Sequence, residues 1–298
     1  MGGGRSTPQD WDGYAAKTVT KSRAQIFTQT AKSAYLDATK VRESADSTAN
    51  PNSTPIIIAV DETGSMGVLA ETIVKKSLAE IVLGIYQHLP VPDPHIMLAG
   101  VGDAYSDRAP YQPTQFEAEV DPLTKQIEQI FLEGNGGGNG GESYLMAWYH
   151  AAYKTKIDSM IKRGRKGYLF TIGDEEPHFT LTKDQIKRFF GDDVEADLDA
   201  HELLAAASEF YEVFHLKVRP NSHYSKTPWT ELMGERVIDV EDINELGPII
   251  TSTMRLIEGE DRNAIIASHA ASSSTALAVA SATKDLVARS NSNDIVTL

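Results

Sequence analysis

Three oxygen-bearing side chains follow a strongly apolar stretch at alternate positions. Residues 56–60 are Ile-Ile-Ile-Ala-Val, of which four are β-branched, and this pattern predicts a short buried strand. Asp61, Thr63 and Ser65 come directly after it. In open α/β sheets, ligands bind at the carboxyl ends of strands, and donors that are all oxygen suit a hard cation such as Mg²⁺ or Mn²⁺. The sequence therefore predicts a divalent-cation site at the end of this strand.

Two later loops have the same kind of placement. Residues 134–143 read GNGGGNGGES and precede the helix-like run SYLMAWYHAAYK. Residues 171–178 read TIGDEEPH and complete the strand-like run GYLFTI. Each loop lies where a strand ends or a helix begins, and such loops meet at one switch point in a doubly wound sheet. We therefore expect the three loops to form one site.

Alternating strand and helix patterns must position these loops. Strands are predicted at 56–60, 95–101, 167–172, 211–218 and 236–240, with a short edge strand at 111–116. Helices are predicted at 68–88, 121–133, 142–157, 182–190, 199–209 and 242–258. Repeated βα units imply an α/β fold with a doubly wound, mostly parallel sheet and helices on both faces.

The sequence divides into three parts. Residues 1–54 are predicted to be an N-terminal helical extension and linker, in which 1–12 are disordered and 16–46 are helical. Residues 55–260 carry the alternating pattern and form the main domain. Residues 261–298 are rich in alanine and serine, and they are predicted to be a C-terminal helix or tail.

The three loops resemble those of the von Willebrand factor A domain. Its metal-ion-dependent adhesion site has the pattern D-x-[ST]-x-S after the first strand, which Asp61, Thr63 and Ser65 match. A later loop supplies an aspartate, and Asp174 matches it. The middle loop lacks the usual threonine after a glycine pair, and it resembles the integrin-β variant, whose metal-binding glutamate Glu142 matches. The likeness spans 55 to about 259, and further auxiliary positions are Asn139, Ser143 and Asp103.

The resemblance implies a Rossmann-like fold and a function. A bound Mg²⁺ or Mn²⁺ would keep one coordination position open, and an acidic side chain of a partner protein would fill it. Intracellular members of the family commonly serve as adaptors in multiprotein assemblies, some of them beside AAA+ ATPases of the MoxR kind. We therefore expect a cytoplasmic, cation-dependent adaptor without catalytic residues rather than an enzyme.

Simpler local roles remain open for several of these residues. The three donors of the first loop are also good N-cap residues for a helix that begins near Met66. Glu142 also suits the positive end of a helix dipole. Asp103 and Asp107 could lie near the site, although turn and cap roles are favoured for them. His178 could support the ligands without touching the cation, although a cap or solvent role is favoured.

Two other functions also remain open. The sequence DETGSM looks like the DKTGT motif of P-type ATPases, which are haloacid-dehalogenase-type phosphotransferases, and GDAYSD echoes the GDxxxD metal loop of that superfamily. Asp61 would then accept a phosphoryl group. Position 63 is threonine, however, so the two-aspartate acid/base arrangement of the phosphatases is absent. The third hypothesis is a structural protein whose terminal segments mediate oligomers.

Composition limits the partners. The formal net charge of −14 disfavours nucleic acid and anionic membranes. The absence of cysteine excludes disulfides and thiolate metal sites, and it fits a reducing compartment. No apolar run approaches the ~18 residues that a membrane-spanning helix needs.

Overall fold

A six-stranded sheet forms the centre of the protein. The computed structural model describes residues 4–27, 36–62, 78–132, 141–218 and 227–289. The sheet strands are β1 Thr54–Asp61, β2 Pro94–Val101, β3 Tyr111–Pro113, β4 Gly167–Gly173, β5 Tyr211–Val218 and β6 Val237–Val240. Their spatial order is β6-β5-β4-β1-β2-β3. All neighbouring strands are parallel except the edge strand β3, which is antiparallel to β2.

Helices flank this sheet. In chain order they are α1 Pro8–Thr18, α2 Arg23–Ile26, α3 Leu78–His88, α4 Val120–Ile127, α5 Leu145–Tyr153, α6 Asp158–Arg163, α7 Lys183–Phe190, α8 Ala200–Phe210, α9 Thr227–Met233, α10 Leu246–Ile257, α11 Arg262–Ser268 and α12 Ser273–Ala282. Of the described residues, no helix is both long and apolar enough to cross a lipid bilayer.

The two faces of the sheet bury separate apolar clusters. Successive side chains of a strand point to opposite faces. Ile56 and Ile58 therefore join a cluster with α3 and α10, whereas Ile57 and Ala59 join a cluster with α5 and α8. Strand β1 is buried along its whole length, as expected for a parallel strand covered on both faces. The predicted α/β class with a mostly parallel sheet is confirmed.

Most of the predicted elements of the main domain are present. Strand β5 matches its prediction to the residue, and the other predicted strands of the sheet are confirmed within a few residues. The predicted helix at 68–88 is present from Leu78, and its first ten residues lie outside the described part of the chain. The helix predicted at 142–157 is shorter, because the two-residue strand Gly141–Glu142 precedes it and the strand Thr155–Ile157 follows it.

The N-terminal predictions are wrong in part. Disorder was expected through residue 12, but α1 begins at Pro8. Thr7 caps this helix in a capping box with Asp10, and Trp11 is buried in the core cluster that contains α3. The single helix predicted over 16–46 is also wrong, because residues 42–44 form a strand that pairs with 155–157. The helix cap at Thr7 and the burial of Trp11 stabilise α1. The alanine-rich spacing that predicted one long helix is a weaker signal.

The C-terminal segment contains two helices rather than one. Asp261 caps α11 and Ser272 caps α12, so each helix has its own start signal. Ile265 and Val279 are buried against Leu256 of α10. The predicted helical character is therefore present, with a break at 269–272 where serine and alanine alone do not maintain a continuous helix.

Candidate cation site

Acidic residues follow three adjacent strands at the carboxyl edge of the sheet. Asp61 is the last residue of β1, and Asp174 comes directly after the neighbouring strand β4. Asp103 follows β2 on the other side of β1. All three side chains are buried. Parallel strand direction thus places carboxylates that are far apart in the sequence at the same edge of the sheet.

Tyr144 connects the loop that begins at Asp61 (the first loop) with the glycine-rich loop at residues 134–143 (the middle loop). Its hydroxyl donates a hydrogen bond of 2.9 Å to Asp61 Oδ2 inside the protein. Burial raises the pKa of Tyr144 well above its usual value, and the negative charges of Asp61, Glu142 and Asp174 raise it further. The hydroxyl therefore keeps its proton. The three predicted carboxylate ligands all act electrostatically on this one phenol.

The position of Tyr144 depends on its neighbours. Gly173, the last residue of β4, lies so close to the Tyr144 hydroxyl that a Cβ there would overlap with it. His215 and Trp229 each meet the Tyr144 ring at a steep angle, at centroid distances of 5.2 and 5.3 Å. These contacts hold the ring in place, with its hydroxyl directed at Asp61.

His178 connects the middle loop to the loops after β2 and β4. Its backbone N–H donates to the Glu142 carbonyl at 3.0 Å. Its ring Nε2 lies 3.1 Å from Asp103 Oδ1, and the imidazole N–H donates to this carboxylate. The Tyr105 ring packs edge-on against the imidazole. Gly141 leaves room for the ring, since a Cβ there would lie 3.0 Å from it.

Two buried side chains, those of Lys217 and Trp229, hydrogen-bond to the backbone of the loop at residues 171–178 (the third loop). Lys217 Nζ donates to the Asp174 carbonyl at 3.0 Å. Trp229 Nε1 donates to the Glu175 carbonyl at 2.9 Å, and the indole stacks on His215 with 3.6 Å between ring centroids. Lys217 is fully buried, so a positive charge lies beneath the acidic loops. Burial and the Lys217 charge lower the pKa of His215 well below its usual value, which keeps its ring neutral.

Glu62 connects the first loop to the edge of the glycine-rich loop. Gln112 Nε2 donates to Glu62 Oε1 at 2.5 Å and to the Phe131 carbonyl at 2.7 Å. The Phe131 N–H in turn donates to Gln112 Oε1 at 2.9 Å. Gln112 therefore ties the described end of the first loop to Phe131 by hydrogen bonds.

Two of the auxiliary residues accept hydrogen bonds from neighbouring backbone and side-chain groups. Asp103 accepts hydrogen bonds from the Tyr105 N–H and from Ser106 Oγ, both at 3.0 Å. Ser143 Oγ accepts from the Ala104 N–H at 2.9 Å. These contacts fit the turn roles that the sequence left open. They also fix the loop after β2 against the start of α5.

The donors match a hard cation in kind, but the described carboxylates do not form a cage by themselves. Within the described ranges, no group of three or more His, Asp or Glu side chains is arranged to hold a metal ion. Thr63, Ser65 and Asn139 lie outside the described residues. A complete shell would therefore need the two hydroxyls of the first loop, and water between the cation and some of the acids.

Sequence reasoning missed the residues that support the acids. Tyr144 was part of a helix-like run, Lys217 was one polar residue of a strand, and Trp229 carried no pattern. A usable signal was the lysine at the carboxyl end of a buried strand, since a buried charge needs a partner. For His178 a cap or solvent role was favoured over a supporting role beside the ligands, and its ring contacts Asp103.

Comparisons with known proteins give little further information. No protein-family model matches the chain, and no curated protein matches it. Among solved structures, the pilus adhesin SpaC from Lactobacillus rhamnosus GG in its open conformation is similar at 11% identity with a TM-score of 0.47, over 75% of this chain and 31% of the adhesin. Another structure of SpaC gives 13% identity and 0.41, over 72% and 31%. The chain spans about a third of the adhesin's length, and at these scores neither similarity carries an argument.

Proposed function

We propose that this protein is a divalent-cation-dependent protein-binding module of the von Willebrand factor A type, with a doubly wound sheet. Asp61, Thr63, Ser65, Glu142 and Asp174 would hold Mg²⁺ or Mn²⁺ at the carboxyl edge. The bound cation would supply an electrophilic position for a carboxylate of a partner protein. The cytoplasm as compartment and an adaptor role, with a MoxR-type AAA+ ATPase as one possible partner, belong to the same proposal.

One observation carries this proposal. The Tyr144 hydroxyl hydrogen-bonds Asp61, and the charges of Glu142 and Asp174 act on the same phenol. Carboxylates from three separate loops therefore lie within electrostatic reach of one buried group. Burying several acids in one place is costly without positive charge nearby. Lys217 supplies one positive charge from below, and a cation would supply more from the open side.

The chain's own residues have separate tasks in this function. The neutral hydroxyls of Thr63 and Ser65 would contact the cation without cancelling its charge. Asp61 and Asp174 would act partly through water, which leaves the cation able to attract a partner's carboxylate. Tyr144, Lys217 and His178 hold the loops in place before the cation arrives.

Cation binding is tested by heat and calorimetry. Mg²⁺ or Mn²⁺ should raise the melting temperature of the EDTA-treated protein, because a ligand that binds the native state stabilises it. Asp61→Ala should abolish this shift. Asp93→Ala, which removes a buried acid just before β2 at the opposite edge, is the matched control and should retain it. Absence of both a shift and a binding isotherm in the wild type would refute the cation site.

Partner binding separates the proposal from its alternatives. A pull-down from cell extract should lose its specific partner with EDTA and with Asp61→Ala, while the protein stays folded. A structural oligomer would survive both treatments and fail on deletion of residues 1–50 or 263–298. Turnover of ATP or p-nitrophenyl phosphate with Mg²⁺, lost in Asp61→Asn, would instead support the phosphotransferase.

A further inference from the structure

We propose that a cavity between α3 and α10 binds a small organic molecule that carries an ammonium group. The cavity has a volume of about 590 Å³, which is typical of small-molecule sites. Its walls come from α3, from α10 with the residues just before it, from the end of α11 and from the start of α12. None of the described residues that line it belongs to the proposed cation site, so this inference goes beyond the proposed function.

The lining of the cavity is acidic. Its described residues include the carboxylates of Glu80 and Glu245 and no lysine or arginine. His88 and His269 also line it, with 6.2 Å between their ring centroids. Burial and, after it, the positive charge of Arg255 lower the pKa of both imidazoles, so they are neutral at neutral pH and do not cancel the carboxylate charge. This lining favours a positively charged ligand.

A buried hydroxyl forms part of the cavity wall. Thr251 is only 1% exposed, and its Oγ1 has no hydrogen-bond partner within the described part of the chain. Gly84 of α3 lies opposite, and a Cβ there would be 2.6 Å from this oxygen. Alanine would favour the helix, but only glycine leaves space beside the hydroxyl. Because an unpaired buried hydroxyl is unfavourable, a ligand N–H that donates to Thr251 Oγ1 would be stabilising.

Hydrogen bonds between the surrounding elements hold the polar groups at the wall. The Thr275 hydroxyl donates to Glu245 Oε1 at 3.1 Å, which joins α12 to the residues before α10. Ser252 Oγ lies 3.1 Å from His269 Nε2, which joins α10 to the residue after α11. The cavity is therefore formed before a ligand enters. A hydrogen bond from an ammonium group to the Glu245 carboxylate would be stronger than one between neutral groups.

The test compares putrescine, a diamine, with 1,4-butanediol, which has a similar length and no charge. Binding to the full chain is measured by calorimetry at neutral pH, after EDTA treatment and dialysis. Glu245→Gln removes a charge from the cavity wall. Its matched control, Glu241→Gln, removes the same charge from an exposed position nearby in the chain that does not line the cavity. Thr251→Val replaces the unpaired hydroxyl with a methyl group of similar size, and circular dichroism verifies that all variants are folded.

Putrescine should bind saturably, and at least about tenfold more tightly than the diol, because one charged hydrogen bond distinguishes them. Glu245→Gln should weaken putrescine binding by about tenfold for the same reason, and Glu241→Gln should leave it unchanged. Thr251→Val should weaken putrescine binding and yet raise the melting temperature of the ligand-free protein, since it removes an unpaired buried hydroxyl. A merely structural threonine would not produce these two opposite changes.

Three results would overturn the inference. The first is a wild type that shows no saturable putrescine binding, and the second is equal binding of the diol. The third is equal weakening in Glu245→Gln and Glu241→Gln, which would show attraction to the acidic surface as a whole rather than to this cavity. Because the two sites share no described residue, each of these results would leave the proposed cation site standing.

Discussion

The ammonium group of Lys217 donates a hydrogen bond to the backbone carbonyl of Asp174 across 3.0 Å, and the lysine side chain is fully buried. Lys217 lies near the carboxyl end of β5 and Asp174 directly follows the adjacent strand β4. The contact fixes the backbone of the third loop and places a positive charge under its acids. Burying a lysine is costly unless its polar group is bonded, so this hydrogen bond offsets part of that cost while the charge acts on the site.

Replacing Lys217 tests that double role. Lys217→Met keeps the length of the side chain but leaves the Asp174 carbonyl without this donor, so the free energy of unfolding should fall by about 2 kcal/mol. Mg²⁺ should reduce the deficit, because it restores positive charge to the acidic loops. Urea unfolding with and without Mg²⁺ measures both effects.

The control for this experiment is Lys154→Met. Lys154 Nζ pairs with Asp192 Oδ1 at 2.5 Å at the far end of α5. Its loss should destabilise the protein to the same extent with and without Mg²⁺. A deficit in Lys217→Met that is equally insensitive to Mg²⁺ would show that the lysine has no electrostatic link to the site.

Asp174 and His178 should differ in their effect on cation binding. Asp174→Ala removes a proposed ligand and should weaken Mg²⁺ binding by at least about tenfold, the scale expected for a charged contact. His178→Ala removes only the contact with Asp103, which is not among the five proposed ligands, and it should weaken binding less than Asp174→Ala does. Calorimetric titration decides between them. Equal effects would mean that the third loop contributes to the site through His178 rather than through Asp174.

The sequence was informative where a single strand determines the position of a residue. The apolar run at 56–60 predicts where β1 ends, and so it predicts that Asp61 lies at the edge of the sheet; Asp174 follows from β4 in the same way. The sequence was uninformative where a contact depends on strand order. Tyr144 reaches Asp61, 83 residues away, only because β1 and β4 are neighbours and Gly173 leaves space for the phenol. Such contacts have no local periodicity.

Acid should weaken the protein partly through Asp46. Hydrogen bonds from Arg163, with Ser53 and Lys162 adding to them, hold the pKa of Asp46 far below its usual value. The unfolded chain has a carboxyl pKa near ~3.9. The stabilisation by Asp46 is therefore fully present above about pH 4, and it is lost as pH falls through the depressed folded-state pKa.

Asp46→Asn tests this window. The variant should be less stable than the wild type at pH 7, and the difference in unfolding free energy should shrink as pH falls below about 4. Urea titrations between pH 7 and pH 3 measure it. Asp12→Asn, at an exposed position, is the control. A difference that stays constant over this range would show that the Asp46 charge does not stabilise the fold.

Gly173 should tolerate no side chain while Tyr144 keeps its hydroxyl. A Cβ at Gly173 would overlap the Tyr144 oxygen, so Gly173→Ala should lower the unfolding free energy by about 2 kcal/mol, as overpacking of a buried site does. Gly13→Ala in α1 meets no atom within 4 Å and should instead raise it by up to about 1 kcal/mol, because alanine favours a helix. Thermal or urea unfolding measures both.

Adding Tyr144→Phe to Gly173→Ala removes the overlapping oxygen, so the double variant should lose less stability than the sum of the two single changes. Simple additivity would mean that the hydroxyl and Gly173 do not constrain each other, and that something other than this close contact directs Tyr144 towards Asp61.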